Sequence, residues 1–272
     1  MAKFVDGKKQ KQKKAEPQAA AAVFSRATRS EESMVVTLLG IAPAFNNAIS
    51  PEKLGEIMAP QPGGKTKEEK ATTTKQDPVS EFRKSVYRIR DERAATLIGF
   101  RASAIRKIIV GAAGLANMKP KAVENALWFA KGDPDTNFMC VWGIPLFDIR
   151  MVKQGGMVKV PTGRARAYMP EWCAQVTINY TPSTITRDQL LAALQEGGRS
   201  SGLGDNRKNS FGRFEIVNAT DPRVVKLQKT AGRAAQVQAL EDAVFSNEDT
   251  QLTWEVYETR TRGFGLPYTK RG

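Results

Sequence analysis

The stretch that most constrains the fold of this chain is Trp172–Val217, where the apolar period changes twice. Trp172, Ala174, Val176, Ile178 and Tyr180 alternate with other residues, the period of a strand with one buried face. From Thr186 to Glu196, Leu190, Leu191 and Leu194 fall on one side of a helix, which Thr184 or Thr186 can cap. Gly197–Gly198 ends that helix in this reading, and Arg213–Val217 forms the next strand. The order is therefore strand, helix, glycine-rich loop, strand.

The loop is the strongest candidate for chemistry. A turn from helix to strand needs one or two glycines; here Gly197, Gly198, Gly202, Gly204 and Gly212 are interleaved with Arg199, Arg207, Lys208 and Arg213. Successive backbone N–H groups in such a loop can form a nest for an anion, and guanidinium groups match phosphate oxygens bidentately. Amides at Gly202 and Gly204 are the expected cradle, and Phe211 the expected stacking ring for a base. An ordinary helix-to-strand loop is the competing reading. The loop is not a phosphate-binding P-loop, because no Gly-Lys-Ser/Thr closes it and its helix precedes it. It also lacks the dinucleotide-binding order of strand, glycines, then helix.

Charge points to the same class of partner. The 272 residues carry 42 Lys+Arg against 28 Asp+Glu, a formal net charge of +14. Lys3, Lys8, Lys9, Lys11, Lys13 and Lys14 supply only part of this excess. A basic surface attracts polyanions, and each phosphate it neutralises releases condensed counterions. Two further basic groups are candidates. Lys159, Arg164 and Arg166 form a basic turn at Pro161–Arg166 leading to Trp172, which suits a single strand lying across a sheet. Arg101, Arg106 and Lys107 sit on the polar side of a helix at Ala102–Ala113, whose stripe is Ile105, Ile108, Ile109 and Ala112. A core role for Trp172 and solvated cations are the bland alternatives.

Enzymatic constellations are poor. The chain has no His, the commonest general acid/base and metal ligand near neutral pH. Asp133, Asp135, Asp148 and Asp205 occur singly, so a solvated surface is favoured over a Mg²⁺ site. Cys140 and Cys173 lie far apart in apolar runs and read as buried thiols in a reducing compartment. No apolar run approaches the roughly 20 residues of a membrane helix. The lysine-rich start lacks the apolar core of a secretory signal. The expectation is a soluble cytoplasmic protein without metal or cofactor, not an enzyme.

Elsewhere, residues 1–30 read as a disordered basic arm, with transient helix near Ala19–Val23. Strands are expected at Met34–Ile41, Val86–Arg90, Thr96–Phe100, Ala126–Ala130, Asn137–Trp142, Phe147–Val152 and Thr253–Glu258. Helical turns are expected near Pro51–Met58 and through Pro222–Val244, with a long exposed loop at Ala59–Pro78 and an exposed Arg/Gly/Tyr tail to Gly272.

The segment Trp172–Val217 resembles the end of a ferredoxin-like (RRM-like) unit of the RAMP superfamily, the repeat-associated RNA-binding proteins of CRISPR effector complexes. Their diagnostic glycine-rich loop lies between the last helix and last strand, as Gly197–Gly212 does here. The chain is also similar to phage-encoded relatives of the backbone subunits. Gly40-Ile-Ala-Pro43, Trp172, Gly202-Leu-Gly-Asp-Asn-Arg207 and Gly212-Arg-Phe214 carry that likeness, which spans roughly Met34 to Val217. It implies an α+β fold with a ferredoxin-like core, an antiparallel sheet and long insertions. The domains would be the arm at 1–30, the core at 31–218 and a helix–strand extension at 219–272. It also implies binding of single-stranded RNA or DNA without bond cleavage, in repeated copies along a strand or within a multi-subunit complex. The compartment would be a bacterial or phage-infected host cytoplasm. The candidate binding residues are Arg199, Gly202, Gly204, Arg207, Lys208, Phe211, Arg213, Arg164, Arg166, Trp172, Arg106 and Lys107. A phage structural protein assembling into homo-oligomers, with the Thr253–Glu258 strand added to a neighbour's sheet, is the first alternative. A metal-dependent nuclease is the second, and a ribosomal-type RNA-binding protein the third.

Overall fold

A computed structural model describes residues 31–49, 54–55, 58, 77–129, 137–153 and 161–263. The basic arm, the tail after 263 and most of residues 50–76 lie outside these, as do Asp133, Asp135 and Lys159.

The chain is a mixed α+β protein. Six elements make its core in chain order: β1 (Glu32–Gly40), α2 (Ser103–Ala112), β6 (Phe138–Trp142), β9 (Cys173–Tyr180), α4 (Arg187–Ser200) and β10 (Phe214–Val217). In space the strands run β10-β1-β9-β6, every neighbouring pair antiparallel. This βαββαβ path with its last strand beside its first is the ferredoxin-like arrangement. Two strands extend the sheet beyond β6, namely β4 (Ile98–Arg101) and β3 (Tyr87–Arg88), and β5 (Leu127–Trp128) pairs with the end of β9.

Alternation decides the faces. Val36 and Leu38, Met139 and Val141, and Ala174, Val176 and Ile178 are buried beneath α2 and α4. The expected face of β9 holds throughout, from Trp172 to Tyr180. α2 presents Ile105, Ile108, Ile109 and Ala112 to the sheet, as its spacing predicts. α4 starts at a capping box: the Gln189 N–H donates to Thr186 Oγ1 at 3.2 Å, and the Thr186 N–H donates to Gln189 Oε1 at 3.1 Å.

α4 does not end at Gly197–Gly198 but runs a turn further, to Ser200. The two glycines allow close packing instead. A Cβ on Gly197 would overlap Ile108 of α2, and one on Gly198 would lie 2.5 Å from the Phe214 ring.

The insertions build a second sheet, β2-β8-β7, from β2 (Ala44–Asn46), β7 (Leu146–Lys153) and β8 (Pro161–Met169). The expected basic turn at Pro161–Arg166 is thus a strand, paired with all of β7 from Lys153 back to Leu146. Two helices were unexpected, α1 (Pro78–Lys84) and α3 (Pro120–Ala126). Each opens on a proline, which at the first helical turn costs no hydrogen bond; Asp77 caps α1 through the Val79 and Ser80 N–H groups.

After β10 come α5 (Pro222–Thr230), α6 (Arg233–Asp242) and α7 (Glu248–Gly263). The expected strand Thr253–Glu258 lies inside α7. Thr250, Trp254 and Thr261 recur at helical spacing and are buried, with Trp254 edge-on to Phe147 at 5.8 Å. α6 is tied in by Gln236, fully buried, which accepts from the Leu97 and Ile98 N–H groups and donates to the Val141, Gly143 and Ala231 carbonyls. No helix among the described residues is long and apolar enough to cross a membrane.

Candidate nucleic-acid interface

The loop from Ser201 to Arg213 is stitched to the start of the chain. The Leu203 N–H donates to the Gly212 carbonyl (2.8 Å), the Gly212 N–H to Pro43 (2.7 Å) and the Asp205 N–H to Phe45 of β2 (3.0 Å). Gly212, at φ +72°, faces Leu203 so closely that a Cβ would overlap the Leu203 carbonyl. Gly202, at φ +70°, would place a Cβ 2.7 Å from the Gly212 backbone. The Gly202 N–H is already donated to the Gly197 carbonyl at 3.3 Å. Internal packing therefore accounts for most of the loop's glycines, which weakens the inference drawn from their number. Gly204 alone of the three is exposed.

The cations outside tell more. Two clefts meet along Gly204–Arg207. The first, of about 430 Å³, is lined by Asn46, Asn47, Tyr87, Arg101, Ser103 and Lys107 together with Gly202–Asp205 and Arg207. The second, of about 510 Å³, adds Ser200, Ser201, Asn206 and Lys208. Arg101, Lys107, Arg207 and Lys208 are all exposed. They come from the end of β4, from α2 and from the loop, and none forms an ion pair among the described residues. Arg101 lies over the Tyr87 ring, its guanidinium carbon 5.1 Å from the ring centre.

Asp205 is the carboxylate on this wall, and its charge is already engaged. Arg166 Nη1 donates to Asp205 Oδ2 at 2.7 Å, Asn47 Nδ2 to the same oxygen at 2.8 Å, and the Asn206 N–H to Oδ1 at 2.8 Å. Burial raises the Asp205 pKa, but these donors outweigh it and hold the carboxyl below its ordinary range. Among the described residues no other carboxylate lines either cleft, so the four exposed cations are not neutralised there.

The other candidates are placed differently. Arg166 is 3 % exposed, paired to Asp205 and lying over Phe45 at 4.4 Å, so it offers nothing outward. Arg164 lies 3.5 Å from Glu81. Arg106 donates to the Glu124 and Leu127 carbonyls, closing the end of α3 onto α2. Trp172 is fully buried, its Nε1–H donating to the Ala42 carbonyl at 2.9 Å, with Phe100 and Phe214 edge-on. Phe211 is half-buried, its ring packed on Phe45 at 4.8 Å and beneath Arg150 at 5.2 Å. Arg213 is half-buried and lies outside both clefts, its carbonyl accepting from Ile41 and Ala42. Arg199 is exposed in the last turn of α4 and also lies outside them.

Sequence reading did not single out Asn46, Asn47, Ser103 or Tyr87. Asn46 is fully buried, donating to the Gly99 carbonyl and accepting from the Tyr87 N–H, so it fixes β2 against β3 and β4. No short-range signal marks these residues, because strand pairing and loop docking bring them together.

Among the described residues, no three Cys, Asp or Glu side chains cluster as a metal site. Cys173 is buried, which pushes its thiol up to about 12; Cys140 is half-buried.

No protein-family model matches the chain, and no curated protein matches it. Solved structures similar to it include Cmr6 from Pyrococcus furiosus, at 11% identity and a TM-score of 0.36, over 69% of this chain and 99% of that one. Another is the Type III-B Cmr-beta bound to cognate target RNA, at 12% identity and a TM-score of 0.34, over 74% of this chain and 64% of that one. The ferredoxin-like topology stands on the strand pairings described above.

Proposed function

We propose that the joined clefts bind single-stranded RNA or DNA through its phosphates, without cleaving it. One observation carries this reading. Arg101, Lys107, Arg207 and Lys208 converge on one groove whose carboxylate, Asp205, is neutralised from behind by Arg166. Uncompensated cations around a concave polar surface concentrate a polyanion and gain from counterion release. The Asn46, Asn47 and Asn206 amides lining the groove are already held by internal hydrogen bonds, so phosphate contacts that position the strand would dominate. Gly204 and the hydroxyls of Ser103 and Ser201 are neutral partners for phosphate oxygens.

The test is a titration of the full chain with labelled single- and double-stranded RNA and DNA at two salt concentrations. The expected result is tighter binding of single strands that weakens steeply with salt. Indifference to every strand at low ionic strength refutes the reading, and cleavage of a labelled strand in Mg²⁺ or Mn²⁺ refutes its non-catalytic part.

Assembly into homo-oligomers is a second reading, favoured by Leu252 and Val256, one turn apart on α7 and 53% and 55% exposed. Because Thr253–Glu258 is helical, the contact would be helix to helix rather than strand addition. An oligomer that persists after nuclease treatment supports assembly; one that dissolves then is held by nucleic acid.

A further inference from the structure

The outer face of the main sheet, opposite α2 and α4, is divided. One half is apolar and covered: Leu39, Trp142 and Cys173 pack beneath Val224, Leu227 and Ala231 of α5 and its end. The other half carries side chains that belong to neither apolar core. Register places them. Val35 pairs with Thr177 and Arg101 with Phe138, and both pairs point away from the helices, since Val36, Val176, Phe100 and Met139 point in. Tyr87 pairs with Gly99, and Trp128 pairs with Asn179, on the same outer side. Three aromatic rings, Tyr87, Phe138 and Trp128, thus stand half-exposed on one surface, and none packs into either core. Tyr87 and Phe138 touch at 5.7 Å, Gly99 between them leaving the room, and Arg101 lies over Tyr87.

This surface continues into the basic groove, because Tyr87 and Arg101 line the groove as well. A strand whose phosphates follow Lys107 and Arg207 is delivered past Arg101 onto the rings. We propose that this open half of the sheet is a base-stacking platform, with Trp128 and Phe138 receiving the bases of the strand held in the groove. The proposal rests on the groove reading. It replaces Trp172, which is fully buried, and Phe211, which packs on Phe45 and beneath Arg150 away from this sheet face, with aromatics that stand on the sheet. Stacking is indifferent to base identity, which suits a single strand bound with little base readout.

Tryptophan emission tests it. Of the four tryptophans, Trp142, Trp172 and Trp254 are 7%, 0% and 3% exposed, leaving Trp128 as the half-exposed one. The full chain is titrated with oligo(U), oligo(dT) and a base-free phosphodiester strand of equal length. The expected result is quenching by the base-bearing strands that Trp128→Phe abolishes, and roughly 5- to 150-fold weaker binding of the base-free strand. Phe138→Ala weakens binding of oligo(U) or oligo(dT) without changing its salt dependence, since it removes no charge. Equal affinity for base-free and base-bearing strands, with unchanged emission, overturns the platform and leaves the groove standing. If wild type binds none of the three at low salt, the groove reading falls and the platform with it.

Discussion

Replacing Arg207 and Lys208 together by Ala removes two of the four cations that face the groove. Their effect follows from counterion release. For a single strand, log K falls with log salt at about 0.7 per phosphate neutralised, so four contacts give a slope of about −2.8 and two give about −1.4. The two lines meet near 1 M salt and diverge below it. At 0.1 M the double variant should therefore bind about 25-fold more weakly, and in high salt almost as well as wild type. Both side chains are exposed and unpaired among the described residues, so folding stability should change by less than about 0.5 kcal/mol. Fluorescence anisotropy of a labelled single strand across a salt series gives both slopes, with a thermal melt as control. A double variant with the wild-type slope would show that these residues touch no phosphate. A loss of affinity that persists undiminished in high salt would show that they act by something other than charge.

Three further outcomes follow from the packing. Gly212→Ala forces a Cβ onto the Leu203 carbonyl at φ +72° and should cost about 2–4 kcal/mol, read by urea denaturation; a smaller loss means the loop has another conformation to adopt. Asp205 has a folded pKa below its unfolded value, so its contribution is fully present above the ordinary carboxylate range and is lost as pH falls through the depressed folded value. Asp205→Asn should flatten that acid loss of stability, and an unchanged acid profile would show that the Arg166 pairing does not hold Asp205 ionised. Gln236→Leu strands the Leu97 and Ile98 N–H groups and the Val141 and Gly143 carbonyls, and should cost about 3–5 kcal/mol in denaturant titration; a neutral substitution would mean that water replaces the amide.

The candidate site was legible in part. Arg207, Lys208 and Lys107 were visible as charge beside glycines or on the polar side of an apolar stripe, and they do face the groove. Arg166 and Arg106 carried the same signal and are turned inward, one onto Asp205 and the other onto the end of α3. Charge and local period cannot separate these cases, because the partners lie 39 residues away for Arg166 and 18 or 21 for Arg106. Phe211 reads as an exposed aromatic in a polar loop, yet Phe45, a distant residue, takes its ring.

What the order of residues settled by itself is local. Alternation defined the buried face of β9, apolar spacing defined the inward face of α2, and Thr186 with Gln189 marked where α4 begins. Each depends on neighbours within a few positions, and backbone geometry translates such spacing directly into a face or a cap. Tertiary structure alone decided the rest. It made α7 a helix by burying Trp254 against Phe147, ran α4 through two glycines by pressing it on Ile108 and Phe214, and assembled the groove by docking Asp205 on Phe45. Those outcomes turn on contacts between segments far apart in the chain, where the energy of packing outweighs local preference.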